Sequence, residues 1–408
     1  MRKIEHSPSG TSAVSPSPET ELLLCCAQVH GPPARTEQIR ALLREEIDWH
    51  YLLLAAYEHG VMPQLFWNLD ATCPEAVPET VLNELRDRFR SNHLHNLFLT
   101  GELLKILREF EARGILAIPY KGPVLAAAVY ENLALRQFGD LDILVHKQDV
   151  PKAREALLAL EYRPQYRLTL AQEAAFLRYE REYTFKNEGK GSVVELHWEV
   201  APRPFSFSLE TERLWDRSER GSLMGDTITT FSPEDLLFIL CVHGAAHFWG
   251  RLGWIRDVAE LIRAYEGIDW ELLMRRASMS GSERMLLLGL LLASDVSGAD
   301  LPEWVSERMW GEATVKSLAG QMRERLFRET EDSQEVFGEE SHFHPLHLRM
   351  MERSRDKIRY CIHQATAPIL KDWALRPLPV SLFPLYYVLR PIRLAGRYGQ
   401  RLLMRVYD

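Results

Sequence analysis

The sequence predicts an α+β fold, a small mixed β-sheet flanked by helical N- and C-terminal regions. Three features predict it. Apolar residues recur every three or four positions before about residue 113 and again after about residue 230. Between those regions the period changes to short apolar runs that suit buried strands. Glycine and proline punctuate the runs where turns and helix starts are needed.

Residues 1–18 (MRKIEHSPSGTSAVSPSP) hold five Ser and three Pro and few large apolar groups, the composition of a disordered segment. Residues 19–113 read as a helical region. Within it, SNHLHNLFLTGELLKILREFEARG puts Leu94, Leu97, Phe98, Leu104, Leu107 and Phe110 at helical spacing, and Gly114 stops the helix. Residues 114–230 read as an α/β core. Residues 115–120 are a short apolar strand. Lys121, Gly122 and Pro123 form a turn into a helix over 124–132, with Pro123 suited to the first helical position. A second strand spans 140–145. Asp149 is placed to cap the next helix, with Ala153, Ala156, Leu157 and Leu160 on one face. Strands over 183–186 and 192–198 flank Gly189 and Gly191, which predicts a hairpin. The order over 115–198 is thus β-α-β-α-β-β.

Residues 231–330 read as a helical C-terminal domain. It opens on a start signal in which Ser232 caps, Pro233 takes the first turn, and Glu234 and Asp235 face the positive helix end. Residues 331–345 are polar and read as a linker, and 346–408 as a helical, then aromatic and basic, tail.

The 408 residues are 46% hydrophobic and 26% charged, enough apolar mass for two or three globular units. A net charge of -8 gives no strong nucleic-acid signature, because neutralising phosphates needs clustered Lys and Arg. Five Cys without a CxxC predict neither a disulfide framework nor a cysteine metal site. With no apolar leader and no run of about 18 apolar residues, the expected location is the cytoplasm.

Asp140 and Asp142 lie two residues apart on a predicted strand, so both carboxylates emerge on one face and Leu141, Ile143 and Val145 on the other. Two readings stand: solvated acids at a strand end, or ligands of a divalent cation such as Mg²⁺, which favours carboxylate oxygens together with phosphates. Glu195, on another apolar strand, completes a set of three acids suited to two-metal phosphoryl chemistry, unless it is a salt-bridged strand acid. Lys121 and Gly122 stand where a strand turns into a helix, a place for phosphate or an ordinary tight turn. Arg136 has the choice of a triphosphate oxygen or a neighbouring acid.

His197 shares the strand side of Glu195, to orient an acid or touch substrate, or as a satisfied core histidine. His243 and His247 sit one helical turn apart, with Arg251, Trp254 and Asp257 extending their face. This set reads as a substrate contact or a packed polar network, and no third zinc ligand is evident. The tail over 373–394 is apolar with interspersed Arg and four Pro, and reads either as a weak membrane or protein contact or as packing on the chain's own helices.

The run KGPVLAAAVYENLALRQFGDLDILV, followed by ELHW and by FSPEDLLFILCVHGAAHFWGRLGWIRDVAEL, resembles the uncharacterised bacterial nucleotidyltransferase family of the polymerase-beta-like superfamily. The likeness covers roughly residues 95–300. It implies a nucleotidyltransferase core at 114–230 in which Lys121 and Gly122 form the turn, Asp140 and Asp142 the metal pair, and Glu195 the third acid. It also implies Mg²⁺ (or Mn²⁺), an NTP such as ATP, and transfer of a nucleoside monophosphate to an acceptor that is a small molecule, a peptide, a protein or an RNA end. The chain departs from the superfamily in carrying Gly122 and Pro123 where Gly-Ser is usual, so no serine hydroxyl stands at the turn. The competing expectation is a catalytically degenerate nucleotide-binding or scaffolding protein.

Overall fold

Capping side chains and prolines set many of the helix starts in the computed structural model, which describes residues 17–28, 33–166, 168–201, 211–327, 344–368, 382 and 385–394. The Ser17 hydroxyl accepts from the Thr20 amide and Pro18 opens α1 (Pro18–Ala27), so helix begins at the end of the stretch expected to be disordered. Four more helices follow: α2 (Pro33–Leu42), α3 (Trp49–Glu58), α4 (Met62–Thr72) and the 34-residue α5 (Glu79–Ala112). Leu22, Leu23, Leu52, Leu65 and Leu69 bury one core among α1, α3 and α4.

The face that α5 buries differs from the one its apolar pattern predicts. Leu94 and Phe98 are exposed, and the buried stripe runs through Asn96, Leu99, Thr100, Leu103, Ile106 and Phe110. Two polar residues turn inward because they have work there. The Asn96 amide donates to the carbonyls of Leu133 (2.6 Å) and Arg136 (2.7 Å), and the Thr100 hydroxyl donates to the Asn96 carbonyl. Asn92 donates to the Ala134 carbonyl and Gln64 to that of Leu135. The loop over 133–136 thus has its carbonyls held from the N-terminal helices.

The core contains β1 (Ala117–Pro119), α6 (Gly122–Tyr130), β2 (Asp140–Val145), α7 (Val150–Ala159), β3 (Arg163–Pro164), α8 (Leu170–Tyr179), β4 (Glu182–Asn187) and β5 (Ser192–His197). The sheet order is β1-β2-β5-β4-β3, with β2 and β5 parallel and the other neighbours antiparallel. The hairpin between β4 and β5 closes through Gly191, whose φ of +67° suits glycine. Asp149 stands just before α7, but its side chain makes no capping hydrogen bond. The two-residue β3, α8 and the hairpin of β6 (Glu219–Leu223) with β7 (Asp226–Thr230) are additions to the predicted order.

Both faces of the sheet are covered. Leu141, Ile143, Val145, Val194 and Leu196 pack with α5 and α7 residues such as Leu103, Phe110 and Leu157. Ile118, Tyr120 and Leu144, on the face that carries Asp140 and Asp142, join a second core built from the C-terminal helices. Those are α10 (Pro233–Ala246), α11 (Leu252–Ala264), α12 (Trp270–Ser280), α13 (Glu283–Ser297), α14 (Glu303–Gly311) and α15 (Ala313–Leu326), given α9 (Thr211–Asp216) before them. Ser232 caps α10 as predicted, accepting from the Asp235 amide. Buried Asp235 also takes a two-bond ion pair from Arg217.

Between α10 and α11 the chain takes a strained path. Phe248 and Trp249 both have positive φ, +54° and +51°, which costs non-glycine residues about 1–3 kcal/mol each. The turn drives the Trp249 ring into the interior. A Cβ on Gly244 would lie 2.5 Å from that ring and one on Gly289 only 2.9 Å, so both glycines are the space it occupies. Of the linker at 331–345, residues 331–343 lie outside the described residues; Pro345 opens a helix to Met350. Of the tail, residues 369–381, 383, 384 and 395–408 also lie outside them, while Tyr386 is buried in the core cluster that α5 shares. Among the described residues no helix is long and apolar enough to cross a membrane, and all five cysteines are free thiols.

Two histidines, the buried His347 and the half-buried His59, tie these layers together in neutral form. His347 accepts at Nδ1 from the Tyr360 hydroxyl (2.8 Å) and donates from Nε2 to the Ala246 carbonyl (3.2 Å), since a carbonyl only accepts. Burial pushes its pKa down to about 3, and that of His59 down to about 4. The unfolded chain binds protons at these rings near pH 6.5 and the folded chain does not. Stability from them is therefore complete above pH 6.5 and is lost as pH falls toward 4. Thermal melts from pH 7 to 5 should show a falling midpoint, with each ring contributing roughly 2 kcal/mol by pH 5. His347→Gln should flatten that slope; an unchanged slope would place the titration elsewhere.

Candidate active site

The site begins where β1 ends. Tyr120 bonds its amide to the Asp142 carbonyl, and Lys121 and Gly122 turn the chain into α6. Gly122 has φ +45°, and a Cβ there would lie 3.1 Å from the Asp140 carbonyl oxygen. Only glycine permits both the conformation and the close approach of this turn to the start of β2. Pro123 occupies the first turn of α6, as predicted.

Asp142 and Glu195 are register partners on the parallel strands β2 and β5, so their side chains stand side by side on one face. His197, two residues beyond Glu195, brings Nε2 to 3.1 Å from Asp142 Oδ1 and 3.5 Å from Glu195 Oε2. Lys121 Nζ reaches the same Asp142 oxygen at 3.1 Å. One ligand atom each from Asp142, Glu195 and His197 lies within 4.8 Å of the others, a spacing that a metal ion can bridge. Asp140 shares their face two residues earlier but is outside that convergent set.

Charge is crowded here. Burial would raise the Asp142 carboxyl, but Lys121 and His197 overcome it and hold the group well below the usual carboxylate range. Among the described residues Asp140 makes no such contact, although the charges of Lys121 and Arg136 oppose the rise of its carboxyl. Burial, then the charges of Asp142 and Glu195, push its carboxyl up to about 6. Burial would lower His197, but hydrogen bonds to Asp142 and Glu195 raise it to about 9. A fourth acid closes the other side: Glu182, register partner of His197 on β4, has Oε2 3.3 Å from Nδ1 and 3.0 Å from the Arg181 guanidinium.

Arg181 and Glu182 escaped the sequence reading. The predicted strand over 183–186 is one residue short at each end, and extending its alternation to 182 puts Glu182 on the acid face with Glu195 and His197.

Arg136 is drawn into an ion pair. Its Nε and Nη2 bond both Asp257 oxygens at 2.9 and 2.8 Å, and its Nη1 donates to the Gly122 carbonyl at 3.4 Å. The Tyr130 hydroxyl donates to Asp257 at 2.6 Å. The network thus joins α6, the loop after it and α11. Beside Asp257, the fully buried Arg256 donates to the carbonyls of Ala27 and Leu135 and lies over the Tyr130 ring at 4.5 Å. His243, His247 and Trp254 gather separately, with ring centroids 4.7 to 5.4 Å apart, and the Arg251 guanidinium lies 5.7 Å over Trp254.

A family model described as an uncharacterised nucleotidyltransferase matches residues 45–298. No curated protein matches the chain. Two solved structures share similarity. One is the antibiotic-resistance factor ANT(2'')-Ia, 13% identical over 56% of this chain and 94% of that one, with a TM-score of 0.27. The other is an antigenic nucleotidyltransferase-like protein from Paracoccidioides brasiliensis, 15% identical over 51% of this chain and 95% of that one, with a TM-score of 0.33.

Removing one partner of a buried ion pair strands the other, at a cost of about 3–5 kcal/mol. Asp257→Ala leaves both Arg136 and the Tyr130 hydroxyl unpaired, and urea unfolding should lose stability of that order. Pairing it with Arg136→Met should recover much of the loss. A single variant as stable as the parent would show that the pair does not hold the turn.

Proposed function

The chain belongs to the uncharacterised nucleotidyltransferase family, and from that premise we propose that it moves a nucleoside monophosphate from an NTP to an acceptor hydroxyl or phosphate, using Mg²⁺ (or Mn²⁺) held by Asp140, Asp142 and Glu195. The observation that carries this reading is the adjacency of Asp142 and Glu195 in strand register, with Asp140 on the same face. The residues fit a divalent ion. Burial, then the charges of Asp142 and Glu195, lift the Asp140 carboxyl to about 6, and hard carboxylate oxygens are the donors Mg²⁺ prefers. His197, within reach of Asp142 and Glu195, adds a nitrogen donor or orients the two acids. When bound, the ion neutralises phosphate charge and makes an acceptor hydroxyl easier to deprotonate.

The chain's own residues supply the positioning. Lys121 offers a point charge to the triphosphate, and Gly122 keeps the turn close enough to β2 for phosphate to meet both. Arg136 acts through the Gly122 carbonyl, because Asp257 occupies its planar face. Arg181 adds a second positive group beside the acids. Most of the rate enhancement in such transfers comes from placing charge and aligning groups. The acceptor class is a small hydroxylated molecule, a peptide, a protein or an RNA end.

One observation favours the degenerate alternative: Lys121 and His197 already satisfy Asp142 Oδ1 without an ion. The two readings separate on turnover. With α-labelled NTPs, Mg²⁺ or Mn²⁺ and cell extract, the parent should transfer label and release pyrophosphate. Asp142→Ala and Glu195→Ala should lose roughly a hundredfold or more of that rate. Label transfer at parental rate in Asp142→Ala would remove the acid cluster from the reaction, and NTP binding without pyrophosphate release would select the degenerate reading.

A further inference from the structure

The ring cluster at the junction of α10 and α11 is not used by the chemistry above. His243 lies in the last turn of α10, His247 follows its end, and Trp254 stands in the first turn of α11. The rings pack edge to face and tilted, His243 to Trp254 at 5.2 Å and His247 to Trp254 at 5.4 Å. All three side chains are partly exposed.

What sets these histidines apart is their unused polarity. Among the described residues, neither imidazole has a hydrogen-bond partner on any of its ring nitrogens, whereas His347 uses both of its own. Because both imidazoles are partly exposed, these nitrogens are open to a ligand that arrives from solvent. The cluster also lies within electrostatic reach of charged groups that surround the acid site. The charges on Lys121, Arg181 and His197 bear on His243, and those on Lys121, Arg181 and Glu182 on His247. Burial first, and then those cations, hold both rings neutral, His247 down to about 4. Each neutral imidazole offers one donor and one acceptor. Zinc does not account for the pair, since no third ligand converges on it among the described residues.

Neutral donor and acceptor nitrogens beside an indole, with the Arg251 guanidinium 5.7 Å over that indole, match a heteroaromatic ring with an alternating polar edge and a π face. Phosphates are better served by Lys121 and Arg181 on the acid side. We propose that His243, His247 and Trp254 form the subsite that takes the nucleobase of the NTP donor, the histidines meeting its edge and Trp254 its face. This rests on the nucleotidyl-transfer reading and extends it to the part of the substrate that does not react. The shelf is pre-set. The left-handed turn at Phe248 and Trp249 fixes the end of α10, and the Gly253 amide donates to the His59 carbonyl at 2.9 Å beside Trp254.

Calorimetric titration of the full chain with ATP, GTP, CTP and UTP in Mg²⁺, and with inorganic tripolyphosphate, tests the assignment. The parent should bind at least one NTP more tightly than tripolyphosphate. Trp254→Ala should weaken that NTP ~10-fold, the scale of a lost base stack, and leave tripolyphosphate unchanged. Trp254→Phe, which keeps a ring, should retain most of the affinity, and His247→Ala should narrow the preference among the four bases. Equal loss for NTP and tripolyphosphate, or a rise only in the KM of an acceptor, would overturn the base assignment while nucleotidyl transfer survives. Failure of the parent to bind any NTP would remove both.

Discussion

Between Arg136 and Asp257 two charge-assisted hydrogen bonds of 2.9 and 2.8 Å cross from the α/β core to α11 with almost no exposure on either side. Taking both charges out of water is expensive, and only the two-bond geometry with a third donor, Tyr130, makes it tolerable. What the pair accomplishes is placement. Arg136 also holds the carbonyl of Gly122, Gly122 touches the first carbonyl of β2, and β2 carries Asp140 and Asp142. The carbonyls of Ala134, Leu135 and Arg136 are held by Asn92 and Asn96 of α5, Gln64 of α4 and Arg256 of α11. The helical regions before and after the sheet therefore meet at one short loop, and that loop sets the entrance to the acid cluster.

The sheet solves a conflict between burial and charge by dividing its faces. One face is largely apolar against α5 and α7, with Ser192 and Asn187 its buried polar residues. The other mixes Leu144, Ile118 and Tyr120 with Asp140, Asp142, Glu195, Glu182 and His197, and it is covered by helices that bring ring side chains near the charges. Low dielectric strengthens every interaction there, so Lys121 and His197 dominate Asp142, while at Asp140, two residues away, burial and the neighbouring acids outweigh Lys121 and Arg136.

The sheet was the most legible part of the sequence. The strand over 140–145 is found at those residues, and Asp142 and Glu195 stand together as the alternation and the family resemblance implied. These signals are local: a period of two, glycine turns, and a proline at a helix start. Where long-range contacts decide, the pattern misled or fell silent. Asn96 and Thr100 fall outside the apolar set predicted for α5, yet both are buried: Asn96 donates to a loop 40 residues away, and Thr100 donates to the Asn96 carbonyl. The choice of Arg136 between phosphate and acid depended on Asp257, which no spacing rule connects to it. His197 was seen as a neighbour of Glu195, but its bond to Asp142 depends on which strand pairs with β2.

Asp257 follows Arg136 by 121 residues, and the order in which a ribosome delivers them matters. All five strands of the main sheet leave the exit tunnel before α11 exists. Throughout that interval Ile118, Tyr120 and Leu144 have none of the helices that later cover them, and the guanidinium has no carboxylate to close on. Sequence-distant pairing of this kind slows folding. The nascent chain thus passes through a stage with a finished sheet and one bare, sticky face, and chaperone dependence should concentrate in that window of translation.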